Sequence, residues 1–144
     1  MANKALIIDN ADMTLEQKVM ALIVCIAQEK KAQTDKVLSG VGLSLLQLNL
    51  LHQLAYASSS GLTVNQLKGA MVDDNPNVSR TLSKMVETGL VTKKRDREDQ
   101  RTVHIRITPK GKKAHIQGDA KLVSITTGLN KGDLATCYAL LQKM

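Results

Sequence analysis

Between Leu90 and Gly111 the chain reads LVTKKRDREDQRTVHIRITPKG, two short strand-like runs joined by a tip of alternating charge. Thr102 to Ile107 alternates strictly, which turns Val103, Ile105 and Ile107 inward and His104 and Arg106 outward. Leu90 to Arg95 supplies the first run. Just before it, Pro76 to Thr88 has the pattern of a helix, with Asn75 as cap, Pro76 at the first position where a missing N–H costs nothing, and Gly89 as stop. Val78, Leu82 and Met85 fall on one buried stripe of that helix. Helix, strand, charged tip, strand is the order of a winged helix.

The rest of the chain reads as helices. Residues 1–13 form an arm with an apolar patch from Ala5 to Ile8. Thr14-x-x-Gln17 is a capping box, in which each side chain satisfies the other residue's free backbone N–H. It opens a helix expected to run to about Gln33, with the charged residues of 28–36 marking its exit. Within it Val19 to Ala27 (VMALIVCIA) is apolar on every side, so the helix needs two partners, and a second copy of the chain can be one of them. A second helix is expected from Ser44 to Ala57, with Asn49, His52, Gln53 and Tyr56 as a single wet stripe on a Leu-rich rod. Ser58 to Gly61 is a turn, and Thr63-x-x-Gln66 caps a short helix to about Met71, with Leu67 and Met71 facing in. Residues 73–77 (DDNPN) make the turn into the helix before the wing. Thr108-Pro109 starts a fifth helix, expected to be weakened by Gly111 and Gly118 and interrupted by Gly128. Asn130 caps a last helix with Leu134, Cys137, Tyr138 and Leu141 as its apolar stripe. The expected architecture is mostly α with a small β wing, a winged helix-turn-helix plus a helical dimerisation region. Its segments are 1–42 (arm and dimerisation helix), 43–111 (DNA-binding domain) and 112–144 (C-terminal dimerisation helices).

Charge says what such a unit would face. Net charge is +7, and the window from Leu62 to Lys113 holds twelve Lys/Arg against six Asp/Glu. Nearly the whole excess therefore sits in about a third of the chain, which suits a polyanion partner. Two Tyr and no Phe or Trp rule out base stacking on aromatic platforms. Cys25 and Cys137 are too few and too distant for a disulfide framework or a zinc knuckle. No apolar run approaches a membrane span and the first residues lack a basic leader, so a cytoplasmic protein is expected. His52, His104 and His115 are not at metal-ligand spacing, and no HExxH, GxSxG, P-loop or GxGxxG is present. Neither an enzyme, nor a metal, nor a cofactor is expected.

Two clusters carry the DNA reading. Asn77, Ser79, Arg80, Ser83 and Lys84 lie on the N-terminal turns of the helix before the wing. Arg80 can pair bidentately with guanine, and Ser and Asn suit phosphate or base edges. Arg95, Arg97, Asp99 and Arg101 lie at the wing tip, where an Arg can enter a narrow minor groove. Asp99 repels phosphate and is expected to hold Arg97, Arg101 or a recognition-helix residue in one geometry. Lys93 and Lys94 are expected on phosphate, and Lys68 on the backbone from the short third helix.

The run Val78-Ser79-Arg80 through Met85, Gly89-Leu90-Val91, Arg95, Asp99-x-Arg101 and Ile107-Thr108-x-x-Gly111 resembles the MarR family of bacterial transcription regulators. By motif the resemblance covers Leu43 to Gly111; the flanking helices agree by position. It implies a homodimer whose first and last helices interlock, binding a pseudo-palindromic operator, more often as a repressor. It also implies that Arg101 is the minor-groove residue and Asp99 its organiser. Many members release DNA when a phenolic or other aromatic acid binds beside the dimer region, and here only Tyr56 and Tyr138 could stack on such a ligand. Some relatives sense peroxide through a thiol in the first helix. Cys25 stands there, in an apolar run with no nearby His, Lys or Arg to activate it. The rival from another class is a winged-helix module that meets an acidic protein.

Overall fold

The computed structural model describes residues 4–71, 77–96, 99 and 101–144. The chain order is α1 (Lys4–Ile8), α2 (Leu15–Ser39), α3 (Leu45–Ala55), β1 (Leu62–Thr63), α4 (Val64–Gly69), α5 (Val78–Glu87), β2 (Val91–Arg95), β3 (Val103–Ile107), α6 (Pro109–Leu122) and α7 (Lys131–Leu141). The sheet is antiparallel in the order β1-β3-β2. In the wing, Val91 faces Ile107, Lys93 faces Ile105, and Arg95 faces Val103. The mostly helical winged fold with a small β wing is the one expected, with the two-residue β1 as an added edge.

Local chemistry accounts for the helix starts. Thr14 with Gln17 and Thr63 with Gln66 form the expected capping boxes, and Ser44 with Gln47 makes a third. Several boundaries differ from the sequence reading, among them α4, which ends at Gly69 rather than Met71. α2 runs on to Ser39 rather than Gln33, because charged side chains propagate a helix as well as apolar ones. Lys31 and Asp35 pair across one turn at 2.9 Å. α3 ends at Ala55, two residues before the expected Ala57. α5 begins at Val78 with Asn77 at the cap position, where the expected start was Pro76 after Asn75. Asn75, Pro76 and most of the expected 73–77 turn lie outside the described residues. Gly89 ends α5 as expected: it takes φ 75°, with Leu90 N–H donating to Met85 O (2.8 Å) and Gly89 N–H to Val86 O (3.0 Å). These two reversed bonds are a Schellman stop.

The larger correction concerns α6, which is a continuous helix across both glycines. Gly111 and Gly118 are buried, and each marks a close approach. A Cβ on Gly111 would overlap the Leu90 carbonyl oxygen, and one on Gly118 would land 2.6 Å from Leu48 Cδ1. The helix ends at Leu122, and Gly128 lies in the linker beyond it. What these glycines lose in helix propensity is offset by letting α6 settle onto α3 and the Leu90 backbone.

Among the described residues, every buried hydrophobic side chain lies between Leu38 and Ile105. Leu48, Leu50, Leu51 and Leu54 of α3, Leu67 of α4, Val78, Leu82 and Met85 of α5, and Val91 and Ile105 of the sheet form one aliphatic core. Outside that lobe the apolar stripes stay uncovered. Val19, Met20, Val24 and Ile26 of α2 and Leu134, Tyr138, Leu140 and Leu141 of α7 are all exposed, Val24 at 51% and Leu134 at 46%. Among the described residues no helix is long and apolar enough to cross a membrane.

Candidate nucleic-acid interface

α5 is anchored by Val78, Leu82 and Met85, all fully buried. Its remaining faces are polar: Asn77, Ser79, Arg80, Ser83 and Lys84 are exposed. Ser83 Oγ donates to Ser79 O at 3.1 Å, so its proton is engaged within the helix. A lone pair of the same oxygen accepts Lys93 Nζ of β2 at 3.3 Å. The bond joins the open face of the helix to the cationic strand of the wing.

In β2 only Val91 is buried, while Thr92, Lys93, Lys94 and Arg95 are exposed. The strand leaves the core after one residue and projects as a ribbon. Its partner β3 stays closer to the core: Ile105 is buried as expected, and Val103 and Ile107 are half-buried. His104 and Arg106, expected to point out, are instead half-buried and bonded. His104 Nε2 lies 3.1 Å from Asp96 Oδ2 across the ribbon, and Arg106 Nε donates to Ser60 O at 3.1 Å. The first contact braces the two strands of the wing against each other, and the second ties the wing to the body.

Asp99 organises the tip through the backbone. Oδ1 accepts the Arg101 N–H at 3.0 Å and Oδ2 accepts the Thr102 hydroxyl at 2.8 Å, while Thr102 N–H returns to Asp99 O at 2.9 Å. The carboxylate thus fixes the Arg101 main chain and leaves the Arg101 side chain exposed. Arg97 lies outside the described residues. Lys68 is exposed on α4. Lys84 also borders a cleft of about 550 Å³ between the start of α3 and α6, with Lys110 and Lys113 on its other wall. Lys110 Nζ donates to Thr88 O at 2.6 Å, tying α6 to the end of α5.

One grouping escaped the sequence reading. His52 and His115, read as unrelated, meet: His52 Nδ1 lies 3.1 Å from His115 Nε2, which lies 3.1 Å from Asp119 Oδ2. The spacing His115-x-x-x-Asp119 was a legible half of this cluster, since residues four apart share a helix face. The contribution of His52, from 63 positions away, was not. Cys25 and Cys137 are free and half-buried.

The sequence profile of the family described as Transcriptional regulator SarA/Rot matches residues 32–117, from the last turns of α2 through the winged lobe into α6. The chain belongs to that family. Its fold is the MarR-like winged helix that the Asp99-x-Arg101 and Ile107-Thr108-x-x-Gly111 patterns implied. Solved structures share its fold. A MarR-like transcription regulator from Bacillus cereus superposes with a TM-score of 0.80 at 20% identity, covering 89% of this chain and 94% of that one. A mutant of MarR from E. coli complexed with operator DNA gives 0.72 at 22% identity, over 91% and 98%. CouR from Rhodococcus jostii bound to p-coumaroyl-CoA gives 0.71 at 18% identity, over 91% and 94%. No curated protein sequence matches the chain at a significant level.

Proposed function

We propose that this SarA/Rot-family chain is a homodimeric repressor that grips a pseudo-palindromic operator with two winged lobes. α5 enters the major groove, with Arg80 and Lys84 on base edges or phosphate and Asn77, Ser79 and Ser83 assisting. The wing follows the neighbouring backbone: Lys93, Lys94, Arg95 and Arg97 meet phosphate, Arg101 reaches the minor groove, and Lys68 touches the flanking strand. The observation that carries this reading is the Lys93–Ser83 bond, which makes helix face and wing one continuous cationic surface. Segments 1–42 and 112–144 supply the interface between copies, since their apolar side chains lie exposed on a single chain. A small-molecule effector would act by favouring a dimer whose helices are wrongly spaced for DNA. The chain works in the cytoplasm and catalyses no reaction.

Fluorescence anisotropy with the DNA upstream of the chain's own gene, against scrambled DNA, tests the reading. We expect specific binding tighter by about a thousandfold or more at physiological salt. Arg101→Ala should weaken the operator complex by about tenfold to a hundredfold while leaving the circular dichroism spectrum unchanged. A ratio near one between the two DNAs would favour an acidic protein as partner, and undiminished binding by the variant would remove Arg101 from the interface.

A further inference from the structure

We propose that His52, His115 and Asp119 form a binding site for a zinc-class divalent cation, joining α3 to α6. Two imidazole nitrogens and one carboxylate oxygen, all within 4.8 Å of one another, converge on one point. Zinc holds such donors at about 2.0–2.1 Å, which places tetrahedral neighbours about 3.3 Å apart. Two of the edges, His52 Nδ1 to His115 Nε2 and His115 Nε2 to Asp119 Oδ2, are 3.1 Å each. Small side-chain rotations close the third.

Hydrogen bonding alone leaves this cluster unbalanced. A ring nitrogen has one in-plane direction, occupied by either a proton or a lone pair. His115 Nε2 cannot serve both His52 and Asp119 fully from that single direction, whichever tautomer it adopts. A cation at the common centre uses all three lone pairs together. The position also suits an exchangeable ion: His115 is buried, with its side chain 8% exposed, whereas Asp119 is 44% exposed and His52 lies at the surface. Tyr56 stands against both rings, with centroids 4.9 Å from His52 and 6.3 Å from His115, and shelters one side. Three protein ligands leave a fourth position for water or another small donor. The bound ion would staple α6 to α3, the helix that carries the buried Leu48, Leu50, Leu51 and Leu54.

The test needs no DNA and is independent of the operator reading. Full-length protein, stripped with a chelator, is titrated with Zn(II) against a chromophoric competitor, and with Co(II) for its visible ligand-field bands. We expect one equivalent per chain, tetrahedral cobalt bands, and a thermal midpoint raised by several degrees in zinc. His115 is packed in, so the more exposed positions carry the argument: His52→Gln and Asp119→Asn should each weaken zinc by more than about a hundredfold. Their metal-free melting points should stay near that of the parent chain. Wild-type affinity in both variants overturns the proposal. So does a cobalt spectrum with thiolate charge-transfer bands that vanish in Cys25→Ser or Cys137→Ser.

Discussion

Lys94 and Arg101 sit a few residues apart on one ribbon, yet they are expected to act on DNA differently. Lys94 projects from β2 beyond the last buried residue of that strand. A flexible ammonium there recognises charge and not sequence. Lys94→Ala should therefore weaken specific and scrambled DNA alike and lessen the slope of log K against log salt by up to about one unit; anisotropy at four salt concentrations measures both. Arg101 instead starts from a main chain held by Asp99 Oδ1. Its partner was legible as a type from the Asp-x-Arg spacing, whereas the mode was not. The sequence suggested a carboxylate holding Arg97, Arg101 or a recognition-helix residue, and the described bonds of the Asp99 carboxylate run to the Arg101 backbone N–H and the Thr102 hydroxyl. Spacing of two along the chain fixes proximity but leaves open which atoms of the neighbour are reached.

At the scale of elements, the signals that were read correctly are those decided within four residues. Thr14 with Gln17 and Thr63 with Gln66 need only their own backbone to cap. Gly111 and Gly118 were misread because their reason lies elsewhere in the chain, in Leu90 and Leu48. Thr108 shows both kinds at once. Its Oγ accepts the Gly111 N–H at 2.9 Å, a local cap, and its hydroxyl is shared between Gly89 O at 2.7 Å and Leu90 O at 3.0 Å. Thr108→Val keeps the shape and removes every one of these bonds. We expect a loss of about 1–2 kcal/mol in urea unfolding, the upper part of the range for an N-cap, because two carbonyls lose a donor as well.

The whole molecule divides by burial more than by sequence. The lobe from Leu38 to Ile105 holds the core, and the helices around it hold apolar residues that a single chain leaves in water. That α2 needs a partner is plain from Val19 to Ala27. That the need persists after folding required the three-dimensional arrangement, since α6 and α7 could have covered it. Val24→Glu, placed in that uncovered stripe, should yield a folded monomer by sedimentation velocity and weaken operator binding by at least about a hundredfold, since half of the phosphate contacts are lost with the second copy. A stable dimer of Val24→Glu would move the interface to another face.

Thr108 sits where β3 passes directly into α6, with Pro109 as the next residue and Lys110 reaching back to Thr88. There is no slack at that joint. A tilt of α6 would carry the ribbon and α5 with it, as a crank carries its pin.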